Sequence, residues 1–122
     1  MGKIGGQRVI FPRLKSSIRV SAHLRRVQAA GSFATIARKG DPDAGAIAVK
    51  VFVGAARAKL YIQSRDLDGN VIWRSPVNDS DDCDVVEEAH VDAWIKKETS
   101  IDPDLWVIEI EDAEGRAFLQ EN

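Results

Sequence analysis

The stretch Ala46-Ile47-Ala48-Val49-Lys50-Val51-Phe52-Val53 alternates with period two. Ile47, Val49, Val51 and Val53 fall on one face of an extended chain, and Lys50 falls on the other with Phe52. Its branched side chains suit a pleated surface, so the frame of the fold is a sheet. Working upstream, Phe33-Ala34-Thr35-Ile36-Ala37-Arg38 reads as another strand. It is separated from the first by Lys39-Gly40-Asp41-Pro42-Asp43-Ala44-Gly45, a turn that Asp41 and Asp43 close with their side chains while Pro42 fixes φ between them. Downstream, Gly54-Ala55-Ala56 is a turn, 57–64 a third strand, and Asp66-Leu67-Asp68-Gly69-Asn70 a hairpin loop into Val71-Ile72-Trp73-Arg74. Four consecutive strands with short connections are expected to be antiparallel neighbours.

Helical periodicity flanks this block. Ser16 or Ser17 is a candidate cap for a helix running to about Ala30, with Gly31 as its left-handed terminator. Val20, Leu24 and Val27 make one stripe of that helix, and Ile18, Ala22 and Ala29 a nearly opposite one, which predicts cover on more than one side. Arg19, His23 and Arg26 share the narrow strip between them. A second helix is expected over about 85–97, ended by Ile101-Asp102-Pro103. A strong strand over 105–111, a tight turn at Asp112-Ala113-Glu114-Gly115 and a short return strand over 116–119 complete the chain. The order α-β-β-β-β-α-β-β defines an α+β fold, a mostly antiparallel sheet with two helices packed on it.

At 122 residues, 44% hydrophobic and 30% charged, the chain is large enough for one globular domain, expected over 13–122. Residues 1–12, with three glycines in the first six positions, read as a flexible extension in which Val9-Ile10-Phe11 can dock as a short edge strand. A single cysteine, Cys83, excludes an internal disulfide, and its acidic surroundings disfavour the thiolate. No apolar stretch reaches the length of a membrane span and no signal peptide is evident, so a cytoplasmic protein without a membrane role is expected. Charge is sorted along the length. Up to Arg74 there are 14 Lys/Arg against 4 Asp/Glu, and from Ser75 on 3 against 15, so the total of −2 hides halves of +10 and −12. Such asymmetry points either to an exposed basic binding face or to two halves that neutralise each other. The basic half supplies the first helix and strands and the acidic half the second helix and last strand, which favours neutralisation.

Three blocks in this order carry a family resemblance. They are Arg13-Leu14-Lys15-Ser16-Ser17-Ile18 with Leu24-Arg25-Arg26; Gly40-Asp41-Pro42-Asp43-Ala44-Gly45-Ala46 with Val49-Lys50-Val51; and Asp102-Pro103-Asp104-Leu105-Trp106-Val107-Ile108-Glu109-Ile110-Glu111-Asp112 with Gly115-Arg116. From about Arg13 to Leu119 the chain resembles the alphaproteobacterial family known as domain of unknown function 1491. The resemblance implies a small cytosolic protein and brings no catalytic residues with it. Arg19 departs from the family pattern, which has an aromatic residue there.

The residues themselves offer several candidate chemistries. Asp66-Leu67-Asp68-Gly69-Asn70 imitates part of a calcium loop, but Ser64 and Ser75 stand where acidic ligands are required, so a hairpin turn is the reading. Cys83, His90 and His23 lack the spacing of a metal site, and no cofactor motif is present. Pro42-Asp43 with Lys50 outlines a metal-dependent nuclease, yet Ala48 occupies the place of the second carboxylate. Glu109 and Glu111 share a strand face and are expected to pair with Lys50 and Lys59 across the sheet. Trp73, Trp94 and Trp106 are expected in the core. No catalytic residue is assigned, and the candidate binding residues are Arg19, His23, Arg25, Arg26, Arg38 and Lys39. The leading expectation is a non-catalytic interaction or adaptor module, self-associating or binding another protein through a sheet edge or the basic helix face. The alternatives are a nucleic-acid-binding module using those residues with Lys15, and a metal-assisted hydrolase using Asp43 or Glu109.

Overall fold

The structure, a computed structural model, describes residues 14–65, 67–77 and 84–119. The extension 1–12, Cys83 and the acidic residues 79–82 lie outside the described residues. The elements are α1 (Ser16–Ala29), β1 (Phe33–Arg38), β2 (Ile47–Gly54), β3 (Arg57–Arg65), β4 (Val71–Arg74), β5 (Val86–Glu87), α2 (Glu88–Ile101) and β6 (Trp106–Glu111). The α+β class holds. Two details of the order differ: a two-residue strand precedes the second helix, and residues 116–119 run as irregular chain rather than as a return strand.

Of the four consecutive strands expected side by side, β2, β3 and β4 are antiparallel neighbours as expected, and only the adjacency of β1 and β2 is corrected. The order across the sheet is β1-β6-β2-β3-β4, with β5 paired to β3. β6 inserts between β1 and β2, antiparallel to the first (Ala34↔Ile110, Ile36↔Ile108) and parallel to the second (Val49↔Ile108, Val51↔Ile110). The physical reason is legible in β6. Leu105, Trp106, Val107 and Ile108 are all buried, so this strand is apolar on both faces and belongs in the middle of a sheet.

The connection 39–46 must therefore arch over the entrance of β6, and its bonds do so. Asp41 N donates to Asp104 O at 3.0 Å, Trp106 N to Ala46 O at 2.8 Å and Trp106 Nε1 to Asp41 O at 2.7 Å. A Cβ on Gly40 or Gly45 would stand on the Asp104 carbonyl, which explains a glycine at each end of the arch. Asp41 closes the turn as expected, accepting from the Asp43 and Ala44 amides at 3.2 and 2.8 Å.

The helices cover opposite faces of the sheet. Val20 and Val27 of α1 pack with Ile47, Val49, Val51, Trp106, Ile108 and Ile110, while Val91 of α2 packs with Ala48, Leu60, Ile62, Leu105 and Val107. α1 is covered on one side, not two: Ile18 and Ala29 are exposed. Nor do Ser16 or Ser17 cap it. The N-cap is Lys15 without a side-chain cap, because Ser16 is buried and its Oγ donates to the Gly45 carbonyl at 2.6 Å. Gly31 terminates the helix at φ +87° as expected. α2 ends at Ile101, with Asp102 extended before Pro103.

Candidate functional site

A single residue of stagger, about 100° around the helix, separates Arg19 and Arg26 from the buried Val20 and Val27 of α1. Val20 and Val27 enter the core, and Arg19, His23 and Arg26 line a cleft of about 160 Å³ beside it. Trp73 of β4 and Ile47 of β2 form the sheet-side wall, and Leu14 closes one end. Among the described residues no acidic side chain lines it.

The chain after β6 holds this face in place. His23 is 3% exposed, and its Nε2 lies 2.8 Å from the Ala117 carbonyl. A carbonyl only accepts, so Nε2 carries the proton. Arg26 donates to the Phe118 carbonyl at 3.3 Å. Phe118 sits at φ +56°, a costly conformation for an aromatic residue, with the Arg116 guanidinium 5.1 Å above its ring. Arg116 is in turn fixed on Asp112, which also accepts from Ser32 Oγ at 2.7 Å. The Arg116 bond, against the effect of burial and aided by its own amide and Ser32, holds the Asp112 carboxyl well below the usual range.

Burial pushes the His23 pKa below its ordinary 6.5; the Ala117 bond opposes this, and the charges of Arg26 and Arg19 reinforce it. Burial likewise lowers the pKa of Arg26. The cleft thus gathers Arg19, His23 and Arg26 in partly desolvated surroundings.

Of the six candidate binding residues, the structure brings Arg19, His23 and Arg26 together. Arg25 is exposed on α1 and does not line the cleft. Arg38 donates to the Pro103 and Leu105 carbonyls at 2.9 and 2.7 Å, fastening the end of β1, and Lys39 is exposed beyond it. Lys15 lies 3.7 Å from Asp43. The two charge halves meet through strand lysines. Lys50 is buried on the α2 face and reaches Glu88 at 2.8 Å, Asp92 at 2.7 Å and Glu109 at 3.4 Å. Lys59 does not pair with Glu109 or Glu111; it points to the α1 face, where it meets Asp84 at 3.5 Å. Asp84 also accepts the Tyr61 hydroxyl.

Among the described residues no group of three His, Cys, Asp or Glu side chains is placed to hold a metal ion; the Glu88, Asp92 and Glu109 carboxylates meet on the Lys50 ammonium, and His23 and His90 stand on helices on opposite faces of the sheet.

Sequence reasoning missed Trp73 as a cleft wall. It is half-buried rather than a core residue like Trp106. Its signal was alternation: Trp73 pairs with Gln63, two positions beyond Tyr61, and therefore faces α1.

A second feature lies at the far edge of the sheet. β1 pairs only with β6 among the described residues. Phe33 and Ile36, on its two faces, are 57% and 44% exposed.

These features define a small two-sided α+β protein with a basic cleft under its first helix and, among the described residues, an outer edge of β1 that no strand pairs. Residues 14–120 match the family described as protein of unknown function DUF1491, and the chain belongs to that family. It is similar to a DUF1491 family protein from Caulobacter crescentus CB15. The crystal structure of that protein is 42% identical with a TM-score of 0.79, covering 89% of this chain and 97% of that one. Its NMR structure is 41% identical with a TM-score of 0.77, covering 91% and 96%. A solution structure of a protein from A. tumefaciens is 34% identical with a TM-score of 0.71, covering 88% and 93%. No curated protein matches the chain. No helix among the described residues is long and apolar enough to cross a membrane.

Proposed function

We propose that this chain is a non-catalytic protein-interaction module that docks through the outer edge of β1. The reading rests on that edge. β1 carries no proline or lysine and no charge before Arg38, so it lacks the side-chain devices that usually blunt an edge strand, and its register shift comes only after Ile36. Strand addition would satisfy its outward backbone groups and cover Phe33 and Ile36.

A second copy of the chain fits best. Antiparallel self-pairing about Thr35 sets Phe33 opposite Ala37 and Ala34 opposite Ile36, so each large side chain meets a small one. Sedimentation velocity over a concentration series is the test. Self-association should appear and be lost in Ile36→Lys, which places a charge in the new seam. A chain that stays monomeric at about 1 mM would refute the self-pairing.

The nucleic-acid reading ranks second. Arg38 is committed to carbonyls, and Arg19, His23 and Arg26 face a cleft, which leaves Arg25 and Lys39 exposed on separate elements. A gel shift that weakens steeply with salt would restore it.

A further inference from the structure

We infer that the bare half of the α2 face, over β1 and β6, is a docking surface for a basic amphipathic helix of a partner protein. It is a sheet face, whereas the docking reading above uses the backbone edge of β1, so the two stand independently.

Cover on this face is one-sided. Val91 of α2 packs on Ala48, Leu60 and Ile62 of β2 and β3, and on Leu105 and Val107 at the entrance of β6. The strand register carries two rows across the same face: Phe33, Glu111, Phe52 and Ala58, and Thr35, Glu109, Lys50 and Leu60. Ala58 and Leu60 are fully buried, but at the β1 end Phe33 is 57% exposed, and Thr35 and Glu111 are exposed as well. Strands stand about 4.8 Å apart, so β1 and β6 offer a shelf about 10 Å wide, the diameter of one α-helix. A helix laid there beside α2 would complete the layer that α2 begins.

Charge sets the partner. Glu88 and Asp92 of α2 and Glu109 of β6 meet on a single ammonium, that of Lys50, and Glu111 adds a fourth carboxylate about 7 Å further along β6. The Glu109 and Asp92 side chains are 34% and 55% exposed, so the surplus negative charge reaches the shelf. Arg38 is directed elsewhere, to the Pro103 and Leu105 carbonyls before β6 begins. Lysines or arginines at i and i+4 of a helix stand about 6 Å apart, close to the spacing of Glu109 and Glu111.

The shelf also asks for apolar surface. Phe33 and Phe52 flank Glu111 in its row, so the partner needs an apolar side chain beside its cations to cover the Phe33 ring. A nucleic acid would be repelled by the same carboxylates.

Calorimetric titration of the full chain at low salt, with a capped peptide of about 15 residues built as four helical turns of lysine and alanine with leucine along one stripe, tests the proposal. Amide NMR maps the contact. Saturable shifts are expected at Phe33, Thr35, Glu109 and Glu111, with affinity that weakens as salt rises. Affinity should fall about threefold in Glu111→Gln, as for one exposed ion pair, and about tenfold when Glu109→Gln is added. Phe33→Ser should weaken it too, whereas Asp104→Asn and Ile36→Lys, the latter on the α1 face, should leave it unchanged. Matching thermal melts would show that the variants are folded. No saturation at about 1 mM peptide, shifts confined to other surfaces, or undiminished binding by the double glutamine variant overturns the surface. A peptide with glutamate in place of lysine that binds as tightly overturns the charge match, and one with serine in place of leucine overturns the apolar contact. Loss of binding in Ile36→Lys would place the peptide on the β1 edge and overturn the assignment to this face.

Discussion

Replacing Lys50 with methionine keeps the length of its stem and removes the cation from between Glu88, Asp92 and Glu109. Removing one member of a fully buried ion pair costs about 3–5 kcal/mol. Here the lysine side chain is 7% exposed, but its three carboxylates are 29–55% exposed and keep part of their hydration. The expected loss is therefore nearer to 2 kcal/mol. With a urea dependence of about 2 kcal/mol per M, the unfolding midpoint should fall by about 1 M at pH 7.

Burial alone would lower the Lys50 pKa. The bonds from Asp92 and Glu88 and the charge of Glu109 outweigh it and raise the pKa above the ordinary lysine value. The contribution is consequently complete below about pH 10.4, the unfolded value, and is lost only as pH rises through the higher folded one. Adding Glu109→Gln to Lys50→Met should recover part of the loss by relieving repulsion among the orphaned carboxylates. An unchanged midpoint in Lys50→Met, or a further fall in the double variant, would refute the account.

Gly45→Ala should destabilise the fold by about 2 kcal/mol or more, because its Cβ would displace the Asp104 carbonyl, whereas Gly31→Ala meets no atom and should lose only about 1 kcal/mol from its positive φ; thermal melts separate the two. Ala55 and Ala56 hold φ of 53° and 57° in the β2–β3 turn, so Ala55→Asn with Ala56→Gly should stabilise the protein by about 1 kcal/mol in urea unfolding. Tyr61 is the chain's one tyrosine, so absorbance at alkaline pH reads it alone. Burial first, then the Asp84 bond and charge, raise its pKa above 10; it should ionise later than free tyrosine and less late in Asp84→Asn. A raised folded pKa means this contribution is intact below about pH 10 and lost as pH climbs through the folded value.

The faces of β2 and the terminator of α1 could be read from Ala46 to Val53 and from Gly31, because period and positive φ are local properties. The place of β6 was less accessible. Leu105-Trp106-Val107-Ile108 signalled a central strand, but short connections argued for sequential neighbours, and the arch over 39–46 is just long enough to defeat that rule. The basic strip Arg19, His23, Arg26 followed from helical spacing alone, while its opposite wall required knowing which face of the sheet α1 covers. Ser16 failed as a cap for a tertiary reason: its hydroxyl serves Gly45, a partner from a distant turn.

The insertion of β6 has a consequence for how the protein is made. β1 leaves the ribosome before β2 to β5 and α2, yet its strand partner is β6, which follows them all. Until that segment arrives, β1 and β2 lack the strand that joins them, and their apolar side chains wait uncovered. Such non-local pairing slows folding and prolongs exposure to aggregation. The nascent chain should therefore hold no complete sheet until β6 has emerged, and acquire one abruptly once it has.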